Sequence, residues 1–113
     1  MLAYATLCFL AAALGGLVLA ASVLRGRLAT WALSLVHAAL GALGLVLTLI
    51  AVLDGAVGAR IALIVLVVAA LGGFFLASFH LRGRPGPKPM VVLHALLAVT
   101  GVALLADAAF GLV

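Results

Sequence analysis

Four long apolar runs dominate the chain: Leu2 to Leu24, Trp31 to Leu53, Ile61 to Leu81, and Met90 to about Val113. Each matches the roughly 20 apolar residues that a helix needs to cross the hydrocarbon of a bilayer. The breaks between them read RGRLAT (Arg25 to Thr30), DGAVGAR (Asp54 to Arg60) and RGRPGPKP (Arg82 to Pro89). Each break combines charge with Gly or Pro, the residues that punctuate helices. The alternating polar and apolar positions of an outer-membrane strand are absent. The pattern predicts an all-α membrane protein, with four transmembrane helices in one domain over 1–113. The first run has no basic segment before it and exceeds the roughly 7–15 apolar residues of a secretory signal, so it reads as a retained helix.

Composition sharpens this picture. Hydrophobic residues make up 70% of the chain and charged residues 7%, with a mean hydropathy of +1.59. A soluble domain is about half apolar and a quarter charged. A soluble globular domain, a disordered tail and a nucleic-acid module are therefore excluded, and the primary partner is the lipid bilayer. The net charge of +4 comes from bases gathered in the breaks, where they act as topology signals. The first and third connectors hold Arg25, Arg27, Arg82, Arg84 and Lys88, and the second holds only Arg60, beside Asp54. This bias places the first and third connectors in the cytoplasm and both termini outside, in a cell inner (cytoplasmic) membrane. The single cysteine, Cys8, excludes an intrachain disulfide and any multi-cysteine metal site.

The chain also resembles itself at an offset of 57, with 18 identical pairs among 56. Leu14-Gly15-Gly16 falls on Leu71-Gly72-Gly73, Leu24-Arg25-Gly26-Arg27 on Leu81-Arg82-Gly83-Arg84, and His37-Ala38 on His94-Ala95. Each unit (1–56 and 58–113) is one helical hairpin, so the chain reads as two tandem repeats of the same orientation. Parallel repeats are related by an axis along the membrane normal. The expected bundle has helices 1 and 3 on one diagonal and helices 2 and 4 on the other. The glycine pairs allow close helix approach.

Ionisable residues inside a membrane are costly and usually face the bundle interior. His37 lies six residues past Trp31, which marks the interface, and so ~9 Å into the membrane at the helical rise. His94 holds the same place in helix 4. Two imidazoles at one depth, directed at one axis, suit ligation of a haem b iron from both faces. Room for the macrocycle is expected from Gly41 and Gly44, on the face of His37, and from Ala98 and Gly101, on the face of His94. Arg25, Arg82 and their neighbours Arg27 and Arg84 are the expected partners of the haem propionates. The alternative for both histidines is a hydrogen bond to a backbone carbonyl or to a serine such as Ser34 or Ser78. His80 has Val23 as its counterpart in the first repeat and reads as an interfacial histidine with its tip in water, with a propionate partner, a second-site ligand or a proton relay as its functional alternatives. Asp107 reads as solvated near the outer end of helix 4, with a proton or quinone site as its alternative. Tyr4 and Trp31 read as interfacial aromatics.

The four-span layout with His37 and His94 resembles the bis-His haem-b membrane cytochromes, such as the cytochrome b561 group and the haem-bearing anchors of respiratory enzymes. The resemblance implies electron transfer through haem b, with quinone or other redox-complex subunits as partners. A non-catalytic accessory subunit of a larger membrane complex is the alternative, and homo- or hetero-oligomers fit either. The length and span count also match the small multidrug-resistance exporters, but helix 1 lacks their membrane-embedded Glu. No Ser–His–Asp set, carboxylate pair or phosphate loop supports a stand-alone enzyme.

Overall fold

The computed structural model describes residues 1–112, and over them the chain is all-helical. Helix α1 spans Leu2–Leu24, α2 Trp31–Leu53, α3 Arg60–Leu81 and α4 Lys88–Phe110, with one 3₁₀ turn at Val57–Ala59. All four helices are long and apolar enough to cross a membrane. At 1.5 Å per residue each is ~33–35 Å long, slightly more than the ~30 Å of bilayer hydrocarbon.

The helix ends follow from short sequence signals. The repeated Arg-Gly-Arg strings are helix stops. Gly26 and Gly83 have φ of 74° and 69°, a left-handed conformation that glycine adopts without a Cβ penalty. Gly26 N–H donates to Val23 O and Arg27 N–H to Ser22 O, and Gly83 N–H to His80 O and Arg84 N–H to Phe79 O. This paired pattern is the Schellman cap, which satisfies the last carbonyls of a helix. Thr30 begins α2 by accepting the Leu33 N–H on its side-chain oxygen. Helix α4 starts at Lys88, two residues before the apolar run. Pro89 is accommodated in its first turn, where the missing N–H has no intrahelical partner to lose. It ends at Phe110 because Gly111 turns left-handed, with φ 61°. The expected continuation to Val113 lies outside the described residues.

The bundle is two hairpins joined along one seam. Helix α1 packs on α2, α3 on α4, and α1 on α4 along most of their length, whereas α2 and α3 touch only sparsely. The α1/α3 and α2/α4 pairs lie on the diagonals, with no close backbone approach among the described residues. The buried core of Ala5, Phe9, Ala59, Ala62, Leu66 and Leu105 sits at the end closed by the 3₁₀ turn. Burial recurs at the same interval of 57 in Ala5 and Ala62, Phe9 and Leu66, Ala12 and Ala69, and Thr48 and Leu105. Large apolar side chains such as Leu7, Leu14, Ile64 and Leu96 are exposed. A water-soluble monomer rarely exposes so much contiguous apolar surface.

Candidate functional site: a histidine-lined cavity

The far end of the bundle is open where the core end is tight. Between the helices lies a cavity of about 740 Å³, within the ~300–1,000 Å³ range of small-molecule and cofactor sites. Its wall is overwhelmingly apolar, and its ionisable groups are His37, His80, His94 and Arg84.

His37 and His94 are held in the same way. His37 Nδ1 is 2.7 Å from the carbonyl of Ala12 on α1, and His94 Nδ1 is 2.7 Å from the carbonyl of Ala69 on α3. A carbonyl only accepts, so each Nδ1 carries the proton and donates it. The Nε2 of each ring is therefore the lone-pair nitrogen, and it makes no hydrogen bond among the described residues. The two ring centres lie 6.3 Å apart at an interplanar angle of 79°, across the α2/α4 diagonal.

Glycine makes this docking feasible. A Cβ on Gly16 would stand 2.9 Å from His37 Cε1, and one on Gly73 would stand 3.1 Å from His94 Cε1. Each glycine is four residues after the accepting alanine, on the same helix face, so its missing side chain leaves the carbonyl open to the neighbouring helix. The sequence alone places these glycine pairs in helix packing and at the level of the expected cavity, and it does not single out Ala12 and Ala69. The signal was present as the pentapeptide Ala12-Ala13-Leu14-Gly15-Gly16, repeated as Ala69-Ala70-Leu71-Gly72-Gly73.

The expected small-residue pocket divides into two groups. Gly41 and Ala98 line the cavity, and nothing stands within 4 Å of a Cβ built on Gly41. Gly44 and Gly101 are off its wall and serve helix packing instead. A Cβ on Gly44 would lie 2.7 Å from the Phe9 ring, and one on Gly101 would lie 2.6 Å from Leu66. Their empty side-chain positions are already filled by those two residues, so they provide no cofactor space.

The polar rim also differs from expectation. Arg82 folds back on its own helix: its Nε donates to Ser78 O at 3.1 Å, and its guanidinium lies 4.5 Å over the Phe79 ring. Arg25 is off the cavity wall, and Arg84 is the arginine that lines it. His80 is drawn inward. Its ring stacks on Trp31 with centres 4.0 Å apart and planes 20° from parallel, and its Nδ1 is 3.1 Å from Ser34 Oγ. Stacking covers its apolar faces, which a water-facing tip would leave exposed. Ser34 is thus the partner of His80 and not of His37, and Ser78 Oγ donates within its own helix to Phe75 O. Asp107 is half-buried near the end of α4 and Cys8 half-buried on α1. Neither joins a cluster of three or more metal-ligating side chains among the described residues.

In comparisons with family models, curated proteins and solved structures, nothing matches the chain significantly.

Proposed function

We propose that this chain is a multi-pass membrane protein of two tandem hairpin repeats that holds one b-type haem between His37 and His94 and serves electron transfer. The observation that carries the reading is the imidazole pair. Both rings have Nδ1–H committed to a carbonyl, both keep an unpaired Nε2 lone pair, and both border the same cavity. Metal-ligating histidines typically donate their other ring N–H to a carbonyl or carboxylate, which fixes the tautomer and the ring orientation.

The spacing is compatible with the same reading: the ring centres of His37 and His94 lie 6.3 Å apart, so one metal ion with bonds of ~2.0–2.1 Å would be within reach of both imidazoles if each turned its Nε2 toward it. Haem supplies one-electron redox chemistry when bound. Ala12 and Ala69 orient the rings, Gly16 and Gly73 give them room, Gly41 and Ala98 leave space beside them, and the apolar wall excludes water. The recurrence of histidine, carbonyl and glycine at an interval of 57 supports the duplication. The base-rich first and third connectors support a cytoplasmic mouth and outward termini in the cell membrane, with quinone or a neighbouring redox subunit as electron partner.

The two Nδ1–H bonds also stitch α1 to α2 and α3 to α4, and this favours a second reading, an accessory membrane subunit with structural histidines. An absorption spectrum of protein purified from haem-replete cells separates the two. A low-spin b-type spectrum, lost or converted to a five-coordinate form in His37→Ala and in His94→Ala, is expected. A wild-type protein with no Soret band overturns the haem reading and leaves the accessory one.

A further inference from the structure

The cavity mouth has a chemistry of its own. His80 and Arg84 line it, and among the described residues no carboxylate borders the cavity. His80 lies in the last turn of α3, where the helix macrodipole favours positive charge. Ser34 differs from the carbonyls that hold His37 and His94, because a hydroxyl can donate as well as accept. With Ser34 Oγ–H donating to Nδ1, the neutral His80 ring carries its proton on Nε2, and the charged ring carries one there too. His80 can therefore offer an N–H donor in either state, and stacking on Trp31 fixes the plane in which it does so.

The position matches the deeper pair. Gly73 is level with the His94 ring. His80 follows it by seven residues, which is two helical turns on the same face and ~10 Å toward the mouth. Arg84 lies just beyond the helix end. A ligand with an apolar body beside the imidazole pair and an acidic arm directed to the mouth would meet both groups.

We infer that the mouth is a carboxylate-binding subsite, in which His80 Nε2–H and the Arg84 guanidinium hold the acidic arm of an otherwise apolar, planar ligand. The inference rests on the haem reading and deepens it, since it assigns the ligand's acid groups to His80 and Arg84 and leaves Arg25 and Arg82 outside the site. Charge-assisted hydrogen bonds of this kind are stronger than neutral ones, and a difference of 1.4 kcal/mol is tenfold in affinity.

The test titrates the full chain in detergent with haem and, separately, with haem dimethyl ester, which has the same macrocycle without ionised carboxylates. Wild-type protein should bind the diacid at least about tenfold more tightly than the diester. The double variant His80→Phe/Arg84→Gln, which keeps a ring against Trp31, should bind the two forms about equally while retaining the low-spin spectrum. Equal affinity for both forms in wild-type protein, with the low-spin spectrum intact, overturns the subsite. So does a double variant that keeps the full preference. Absence of a low-spin spectrum with either form overturns the haem reading itself.

Discussion

Gly16→Ala is the smallest perturbation that should disturb the histidine pair. The added Cβ would lie 2.9 Å from His37 Cε1, whereas carbon atoms settle at roughly 3.5–4.0 Å. The imidazole must retreat by about 0.6 Å or more. Its Nδ1–H bond to Ala12, now 2.7 Å, would then stretch to about 3.3 Å, past the usual ~2.7–3.2 Å range for N–H···O bonds. Losing that bond costs about 0.5–1.5 kcal/mol, and the crowding costs a further ~1–3 kcal/mol. The better helix propensity of alanine returns about 0.5–1 kcal/mol. The net expectation is a destabilisation of about 0.5–4 kcal/mol, with haem affinity lowered by about 10–100-fold because the tautomer is no longer fixed.

The same substitution in the second hairpin should be milder. A Cβ on Gly73 would stand 3.1 Å from His94 Cε1, so that ring need move only about 0.4 Å. Its 2.7 Å bond to Ala69 then stays near 3.1 Å, within hydrogen-bonding range. Gly58→Ala is the control, since nothing stands within 4 Å of its Cβ. Thermal unfolding in detergent and haem titration on the three variants give the ranking. Gly16→Ala with wild-type stability and wild-type haem affinity would refute the docking argument, as would Gly73→Ala proving the more damaging of the two.

Gly44, packed against Phe9, should behave differently. Gly44→Ala should cost about 1–3 kcal/mol of stability by crowding Phe9 and much less in a Phe9→Ala background, as a double-mutant cycle would show. The low-spin spectrum of the folded variant should be unchanged, and loss of haem at wild-type stability would place Gly44 on the cavity after all. For topology, a reporter fused after Val113 that works only outside the cytoplasm should be active, and activity of a cytoplasm-only reporter there would reverse the orientation.

The helices were legible because their signals are one-dimensional. Unbroken apolar runs mark the helices, and Gly26 and Gly83 mark the stops. The facing of each helix was not legible, because a helix that is apolar all round carries no stripe to say which side is buried. Gly41 and Gly44 looked equivalent by spacing from His37. In the bundle, however, one borders the cavity and the other receives the Phe9 ring. The same ambiguity hid the partner of His80. Its pairing with Ser34 and Trp31 depends on how the α2 end meets the α3 end, and those residues are 46 and 49 positions away along the chain. The approach of His37 and His94 was legible only because the self-similarity at an interval of 57 implied equal depth and a common direction without any knowledge of facing.

The tautomer is what turns a packing histidine into a candidate ligand. A residue needed only to tie α1 to α2 has one task, donating to the Ala12 carbonyl, and a serine or asparagine can do this. Histidine at that place brings a second nitrogen whose lone pair borders an apolar cavity. Both rings border that space, each with its Nδ1 committed to a carbonyl of the neighbouring helix. If the proposed metal centre is held there, those Nδ1 bonds would orient its two ligands as well as tie the helices together.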